Sequence, residues 1–414
     1  MRPAARLKTV SDLLPIILES SMAADRLVLD WGRRNRFAGS GDRRDIADQV
    51  FAILRHYSKI CALVGSTDPA MVALGARLVV HGDALEDVCA LADGSPHALA
   101  ELDETARDKL AHVDARYGAL EPHEQAAVPA WLYRDIMASE LTDAAAVLDA
   151  LTQRAPLDLR VNTLRGSYEQ TRQKLSDEGI RTRALPKVPL ALRVEGARQI
   201  SGSAVFKSGR VDVQDAGAQI AAALCEAAPG HTVLDFCAGA GGKTLALAAQ
   251  MQNKGRLFAY DAEPKRLQPM QDRLKRAGVG IVQIVDDDAL SGLKERCHLV
   301  VADVPCSGSG RWRRAPETKW HLTPDALDNL VTAQGDILAA SAGHVKVGGR
   351  LVYITCSVIG RENMDQIQAF LQAHPNFEID ENATYGGQKG VVQLDPHNTD
   401  TDGLFCAIMR RNSP

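Results

Sequence analysis

The chain has 414 residues, which is more than a single hydrophobic core usually fills, so two or three domains are expected. Its hydrophobic content of 45% and charged content of 24% are those of an ordinary soluble protein, and no apolar run reaches the roughly 18 residues that span a bilayer. The net charge of −4 does not by itself indicate a nucleic-acid-binding protein, so local clusters of charge have to decide that question.

The N-terminal sequence and the cysteine pattern bear on location and on metals. The opening residues, MRPAARLKTVSDLL, lack the apolar segment of a secretion signal, so a cytoplasmic protein is expected. The eight cysteines are scattered and form no Cys-x-x-Cys pair, so neither a metal site nor a redox pair is expected.

Residues 1–140 are predicted to form an all-helical domain. Asp42 is a candidate N-cap for a helix that continues to about residue 65, because apolar side chains recur there at helical spacing. Basic side chains collect just before this helix and in its first turn. They form either a solvated surface or a contact for an RNA backbone. These residues are Arg33, Arg34, Arg36, Arg43 and Arg44.

The composition changes near Pro156, where a small α+β module is predicted at 150–210. A last domain is predicted at 211–414. The elements in this part of the chain, in order, are a strand at 157–164, a helix at 167–179, a strand at 190–196, a strand at 211–213 and a helix that ends before Pro229.

From residue 233 onward, strand-like and helix-like segments alternate, which predicts an α/β fold with a parallel sheet and helices on both faces. Ligands of such sheets bind at the carboxyl ends of the strands. A helix at 361–373 and two strands, FEID and LFCAIMR, close the chain. The earlier strands are predicted at 233–236, 256–261, 281–285, 298–303 and 350–355, with helices at 243–252, 263–277 and 324–345.

Residues 233–244, VLDFCAGAGGKT, join the end of a buried strand to the start of a helix through a glycine-rich turn. Such a turn presents backbone N–H groups to an anionic or polar ligand. A phosphate-binding P-loop would need glycine at Cys237, and a dinucleotide loop would need a third glycine at Thr244, so neither motif is complete. An S-adenosylmethionine methyltransferase would use Asp261, at the end of the next strand, for the ribose hydroxyls. The turn alone favours a nucleotide-type cofactor and leaves other Rossmann-like uses open, a nicotinamide-dependent oxidoreductase among them.

Two cysteines follow neighbouring predicted strands at the edge where the cofactor should bind. The sequence ADVPCSGSG places Asp303 and Cys306 there, and YITCS places Cys356 there. Methylation at carbon 5 of a pyrimidine requires such a pair, because a thiolate must add to C6 before C5 can accept a methyl group. A second group must then remove the C5 proton so that the thiolate can leave. A nearby carboxylate, here Asp303, can hydrogen-bond the base and stabilise the adduct.

The segments FCAGAGGKT, DVPCSGSG and YITCS, with RVNTL upstream, resemble the RsmB/Sun (Nop) family of S-adenosylmethionine-dependent RNA cytosine-5 methyltransferases over about residues 130–410. The resemblance implies a class I methyltransferase sheet of Rossmann-like type, a small RNA-binding module and, more weakly, a NusB-like RNA-binding domain at the N-terminus. It implies that Cys356 is the nucleophile, that Cys306 helps to release the product and that Asp303 serves both base and cofactor.

The same resemblance implies a set of cofactor contacts. The chain has Ala240 where the family usually has proline, a change that a backbone contact tolerates. Three aspartates follow the third strand, and either Asp287 or Asp288 matches the family's contact. The implied contacts are Cys237, Ala238, Gly239, Ala240, Gly241, Gly242, Lys243, Asp261, Asp287 or Asp288, and Asp303.

The segment 311–321, RWRRAPETKWH, mixes five basic side chains with Trp312 and Trp320. It is either a surface loop with two packed indoles or a surface that contacts RNA phosphates and stacks on bases beside the active site. A target cytosine within a helix would have to be flipped out to be reached.

Together these observations predict a cytoplasmic, monomeric RNA cytosine-5 methyltransferase that uses S-adenosyl-L-methionine and needs neither metal nor membrane. Small-subunit rRNA is favoured as its substrate over tRNA. A non-catalytic RNA-binding assembly factor that has kept the fold is a further alternative.

Overall fold

A computed structural model describes residues 1–196 and 200–413, and the chain separates into two compact units. The first, the helical unit, contains Met1–Ala138, Thr142–Arg154 and Arg311–Pro324. The second, the sheet unit, contains Ser139–Leu141, Ala155–Gly310 and Asp325–Pro414. Within the described ranges no helix is both long enough and apolar enough to cross a membrane.

Helices α1, α3 and α4 pack the core of the helical unit, and Leu14, Ile53 and Leu74 are among their buried side chains. The unit is helical because apolar residues recur three and four positions apart, which places them on one face of each helix. Its first ten helices are α1 Pro3–Glu19, α2 Ala24–Arg34, α3 Ser40–Val64, α4 Pro69–Val79, α5 Leu85–Cys89, α6 Glu104–Ala111, α7 Val113–Arg116, α8 Pro122–Gln125, α9 Ala130–Met137 and α10 Ala144–Leu151.

Helix α3 begins two residues before the predicted cap, so the assignment of Asp42 as N-cap was wrong. The N-cap is Gly39, and the Asp42 carboxylate accepts a hydrogen bond from the Gly39 backbone N–H at 3.1 Å. The same carboxylate pairs with the N-terminal ammonium group of Met1 at 3.0 Å. An aspartate at the third position of a helix can accept the hydrogen bond of the N-cap backbone N–H from inside the first turn. In sequence, an aspartate at this position looks similar to an aspartate at the N-cap itself.

The small module contains a four-stranded antiparallel sheet of order β2-β3-β1-β4. Its inward side chains, Leu159 and Leu192 among them, pack against Leu175. The predicted strand at 211–213 joins this sheet, where it pairs with residues 159–161 of β1. The elements are β1 Leu157–Val161, α11 Tyr168–Asp177, β2 Thr182–Ala184, β3 Ala191–Val194, α12 Ala204–Lys207 and β4 Val211–Val213.

The predicted α/β fold is confirmed. The remaining elements comprise the large sheet with its helices, a separate two-stranded sheet at 384–389 and a short helix of the helical unit at 318–321. In chain order they are α13 Ala216–Leu224, β5 Thr232–Asp235, α14 Gly242–Gln250, β6 Arg256–Ala259, α15 Met270–Ala277, β7 Val282–Ile284, α16 Asp287–Ser291, β8 Cys297–Asp303, α17 Thr318–His321, α18 Pro324–Ala342, β9 Val345–Thr355, α19 Met364–Ala373, β10 Phe377–Ile379, β11 Thr384–Tyr385, β12 Gln388–Lys389, β13 Val391–Leu394 and β14 Leu404–Arg411.

The large sheet has the order β10-β14-β9-β8-β5-β6-β7, in which β5 to β9 are parallel and β14 is antiparallel to its neighbours. Successive residues of β5 point to opposite faces: Val233 packs with Leu247 of α14, and Leu234 packs with Leu338 of α18. The chain order reverses between β5 and β8, and their carboxyl ends at this point are where an open α/β sheet binds ligands.

The segment 311–321 is packed within the helical unit, which favours the first of its two interpretations, a loop with packed indoles, over stacking on RNA bases. Trp312 is 1% exposed, and the Trp320 Nε1 donates a hydrogen bond to the Leu54 carbonyl oxygen at 2.7 Å. Lys319 is also buried, and its Nζ donates to the Arg55 carbonyl oxygen at 2.8 Å. Burial lowers the pKa of Lys319 to about 7. The partners of this segment lie more than 250 residues earlier in the chain, and no local pattern reports them.

Candidate active site

The glycine turn between β5 and α14 is held by contacts from two sides. Gly241 is the N-cap of α14 and has a φ of 82°, which favours glycine, and a Cβ atom there would lie 3.0 Å from the Met270 Cγ. The Gly239 N–H donates to the Asp261 carboxylate at 3.0 Å, and the Arg273 guanidinium donates to the Ala240 carbonyl oxygen at 2.7 Å. These contacts fix the turn at the N-terminus of α14.

Asp261 follows β6 and lies beside the glycine turn, where the sequence analysis predicted it. Its side chain is almost fully buried, and it also accepts a hydrogen bond from the Glu263 backbone N–H at 3.0 Å. The Arg266 guanidinium pairs with the same carboxylate at 3.2 Å. A carboxylate fixed in this way can accept hydrogen bonds from two adjacent hydroxyl groups, which is what a ribose presents.

Of the two candidate aspartates after β7, one is linked to the site by a hydrogen bond. The Asp287 carboxylate accepts from the Tyr260 hydroxyl at 2.7 Å, and Tyr260 precedes Asp261 directly. Asp288 is exposed in the first turn of α16. Both remain predicted cofactor contacts.

Asp235 ends β5 and is a buried carboxylate that the sequence analysis did not single out. Its side chain is 1% exposed, and one oxygen accepts from the Thr244 hydroxyl at 2.7 Å. In the described part of the chain its other oxygen has no hydrogen-bond partner. Burial raises the pKa of Asp235 to about 7, and the negative charges of Asp303 and Asp261 act in the same direction.

Lys243 and Asp303 form an ion pair at the point where the order of the sheet reverses. The Lys243 Nζ lies 2.5 Å from the Asp303 Oδ2. Burial lowers the pKa of Lys243, but the Asp303 carboxylate and, to a smaller extent, Cys356 raise it more, so the net direction is upward. The ammonium group therefore stays charged at neutral pH, and its charge acts on Cys356 as well as on Asp303.

The two cysteines after β8 and β9 are in contact. The Cys306 Sγ lies 3.3 Å from the Cys356 Sγ and 3.3 Å from the Cys356 backbone nitrogen, which donates to it. Both side chains are half-buried. The hydrogen bond with Cys356, together with burial, raises the pKa of Cys306 well above its usual value, so Cys306 holds a proton at neutral pH. The Cys306 thiol thus lies beside the sulfur of Cys356, the predicted nucleophile.

The structure brings most of the predicted site residues to one edge of the sheet. The sulfurs of Cys306 and Cys356 are in contact, and Lys243 pairs with Asp303 and acts electrostatically on Cys356. The glycine turn is hydrogen-bonded to Asp261. Of the other turn residues, Ala238 is buried and donates its N–H to the Tyr260 carbonyl oxygen at 2.8 Å. Cys237 is partly buried, and burial raises its pKa, so it is a packed thiol rather than a reactive one.

A second buried carboxylate that sequence reasoning missed is Glu362, six residues after Cys356. The only available signal was that each of the two cysteines is followed directly by a serine, Ser307 and Ser357. Both serine hydroxyls donate to Glu362. Within the described residues there is no group of three or more metal-ligating side chains.

Comparisons with known proteins match two parts of the chain. A family model described as 16S rRNA methyltransferase RsmB/F matches residues 222–410, and one described as Methyltr_RsmF/B-like, ferredoxin-like domain matches residues 128–201. A probable ribosomal RNA small subunit methyltransferase B from Synechocystis sp. is 34% identical over 274 residues, which are 63% of this chain and 61% of that relative. The chain thus spans less than two thirds of that relative's length.

Two further comparisons extend this result. A ribosomal RNA small subunit methyltransferase B from Salmonella typhi is 33% identical over 307 residues, which are 73% of this chain and 69% of that relative. The crystal structure of PH0851 superimposes with a TM-score of 0.77 at 23% identity and covers 99% of both chains. At that identity the likeness shows the fold alone.

Proposed function

The chain belongs to the RsmB/F family of methyltransferases, and from that membership we propose that it transfers a methyl group from S-adenosylmethionine to carbon 5 of a cytidine in small-subunit ribosomal RNA. The observation that carries the proposal is the pair of cysteine sulfurs, 3.3 Å apart at neighbouring strand ends, beside the ion pair of Lys243 and Asp303. The names of the relatives support small-subunit rRNA as the substrate.

The residues present fit the proposed cofactor. A positive-φ glycine turn at a helix N-terminus, with the carboxylate of Asp261 beside it, offers N–H donors for a polar group and acceptors for ribose hydroxyls. The turn from Cys237 to Lys243, Asp261, Asp303 and one of Asp287 and Asp288 would hold S-adenosylmethionine, which supplies an electrophilic methyl group on a sulfonium.

In the first step, the Cys356 thiolate forms a bond to C6 of the cytosine ring. The positive charge of Lys243 favours the thiolate over the thiol, because it stabilises the negative sulfur. Asp303 hydrogen-bonds the base edge and orients the ring. The electron pair of the C5–C6 double bond moves toward C5, which becomes nucleophilic enough to accept a methyl group.

In the second step, Cys306 removes the C5 proton, the double bond re-forms and the bond from Cys356 to C6 breaks. The pKa of Cys306 is raised chiefly by its hydrogen bond with Cys356 and by burial, and the negative charge of Cys356 adds to this. Once Cys356 is bonded to C6, its sulfur no longer carries that negative charge and is a weaker hydrogen-bond acceptor. Cys306 can then release its own proton to water and act as the base.

Bisulfite sequencing of RNA from cells with and without this protein tests the proposal. We expect the cells that lack it to lose the signal of one methylated cytosine in small-subunit rRNA and to regain that signal when the gene is restored. A lost signal in a tRNA would contradict the proposed substrate. If no cytosine signal is lost in any RNA, the proposed activity is wrong, and a non-catalytic assembly factor would be favoured.

We further propose that the helical unit binds RNA through an arginine-rich turn around Phe37. The Phe37 side chain is 72% exposed, and Arg34, Arg36 and Arg44 nearby are exposed as well. The acidic Asp42 of the same region is already paired with the Met1 ammonium group at 3.0 Å, so the local charge available to a ligand is positive. An exposed aromatic ring among guanidinium groups suits a single-stranded RNA, whose bases stack while its phosphates pair.

Phe37→Ala is expected to weaken binding of small-subunit rRNA by roughly 5- to 160-fold, because one stacked base contributes about 1–3 kcal/mol. Filter binding at fixed salt measures the change. Phe37→Tyr keeps the ring and should bind as the wild type does. Ile16→Ala removes another exposed apolar side chain of the same unit and serves as the control. Wild-type affinity of the Phe37→Ala variant would contradict this proposal.

A further inference from the structure

Glu362 is a fully buried carboxylate that lies next to both cysteine loops. It follows β9 in a single helical turn, Gly360–Glu362, and its side chain is 0% exposed. Four hydrogen bonds compensate its charge: two to Oε1 and two to Oε2. A buried carboxylate is tolerated when its lone pairs are satisfied in this way, and each such bond is stronger than one between neutral groups.

Three of the four donors come from the residues that directly follow the two cysteines. The Ser307 backbone N–H donates to Oε1 at 2.7 Å, and the Ser307 hydroxyl donates to Oε2 at 2.5 Å. The Ser357 hydroxyl donates to the same Oε2 atom. Oε2 of Glu362 thus accepts one hydrogen bond from a hydroxyl in the loop of Cys306 and one from a hydroxyl in the loop of Cys356.

Further hydrogen bonds hold Glu362 and its two loops in place. The Gln334 side-chain amide donates to Oε1 at 3.0 Å and to the Pro305 carbonyl oxygen at 3.0 Å. The Tyr353 hydroxyl donates to the Glu362 backbone carbonyl oxygen at 2.7 Å. Because Gln334 and Tyr353 are both fully buried, the carboxylate is fixed relative to the sheet and not only relative to the loops.

We propose that Glu362 is a positioning residue that sets the distance between the Cys306 and Cys356 sulfurs through the serine that follows each. The two serines are bound to one oxygen atom, and each cysteine is one residue away from its serine. Movement of either loop would stretch a hydrogen bond to a buried charge. The hydrogen bonds from Ser307 and Ser357 connect Glu362 to the two cysteine loops, and the negative charge of Glu362 also raises the pKa of Cys306.

The catalytic meaning of this distance rests on the proposed function, but the distance can be tested without RNA. Phenylarsine oxide reports on it, because its arsenic binds two thiols at once, with formation of two arsenic–sulfur bonds and release of one water. Chelation is tighter when the two sulfurs are held close together before the reagent binds, because less ordering is then required. The affinity of the full-length protein for this reagent, measured by competition with a small dithiol, is the readout.

Glu362→Gln is expected to weaken arsenical binding about tenfold, because the amide turns one acceptor into a donor that faces a serine hydroxyl. Ser307→Ala and Ser357→Ala should each weaken it less. Combining Glu362→Gln with Ser357→Ala should add little further loss, since both changes break the same hydrogen bond. A purely structural effect on folding would instead make the two losses additive.

Two controls complete this experiment. Cys306→Ser should abolish chelation, which shows that the reagent binds the intended pair and not another cysteine. Glu317→Gln alters another buried carboxylate, in the helical unit, and should leave the arsenical affinity unchanged. Wild-type affinity of folded Glu362→Gln, or of both serine variants if Glu362→Gln does not fold, would overturn the proposal.

Methyl transfer to small-subunit rRNA by the same variants connects positioning to turnover. We expect kcat to fall about tenfold for Glu362→Gln while the KM for RNA stays unchanged, since the residue does not contact the substrate. If the wild type methylates no RNA while the arsenical affinities behave as expected, the proposed function fails and the positioning role stands. If methylation and arsenical binding are both unaffected, the positioning role fails and the proposed function stands.

Discussion

Cys356→Ala is expected to abolish methyl transfer to RNA, with a fall in the single-turnover rate of roughly four orders of magnitude or more, as is usual when a covalent nucleophile is removed. Without a thiolate at C6, carbon 5 of the pyrimidine is too weak a nucleophile to accept the methyl group. Incorporation of tritiated methyl groups from S-adenosylmethionine into small-subunit rRNA measures the rate.

The control for this loss is a cysteine outside the site. Cys89→Ala changes a half-buried cysteine of the helical unit and should retain full activity. Cys356→Ala should still bind S-adenosylmethionine, as measured by calorimetry, because the glycine turn and Asp261 are unaltered. Full turnover by Cys356→Ala would refute the assignment of the nucleophile.

Cys306→Ala is expected to leave a covalent protein–RNA adduct that survives denaturation. In this variant the bond from Cys356 to C6 can form and C5 can be methylated, but no thiolate is present to remove the C5 proton. Elimination then stalls, and up to about one RNA per protein should remain attached. A denaturing gel with labelled RNA measures the trapped fraction, which should be many times larger than for the wild type.

The double variant Cys306→Ala with Cys356→Ala separates this adduct from other cross-links. If the bond runs through Cys356, the double variant traps nothing. An adduct that persists in the double variant, or its absence in Cys306→Ala while methylation continues at the wild-type rate, would contradict the assignment of Cys306 to product release.

The fold of the sheet unit could be predicted because its signals are local. Val233 and Leu234 point to opposite faces of the sheet, and because helices cover both faces, both side chains at the centre of β5 are apolar. Apolar residues at helical spacing predicted the helices that follow this strand. The start of α3 was placed three residues late because Asp42 satisfies the Gly39 N–H from within the helix. Packed indoles were one of the two expectations for 311–321, but the partner of Trp320 was not predictable, because Leu54 is far away in the chain.

The same distinction applies to the candidate site. The glycine turn and the Cys-Ser pairs are contiguous motifs, so the sequence indicated them and the strand ends at which they lie. The ion pair of Lys243 with Asp303 and the bonds from Ser307 to Glu362 join residues that are far apart in the chain, the latter by 55 positions. Such pairs depend on strand order, which a single sequence does not determine. Glu362 was therefore missed although it is completely buried.

The division of the helical unit between the beginning of the chain and Arg311–Pro324 has a consequence for biosynthesis. When residue 138 has left the ribosome, the Ala24 N–H and the Leu54 carbonyl oxygen still await Glu317 and Trp320. At about 5–20 residues per second, these partners arrive roughly nine to thirty-six seconds later. Until then the nascent N-terminal helices lack part of their packing and expose apolar surface that chaperones and proteases can reach.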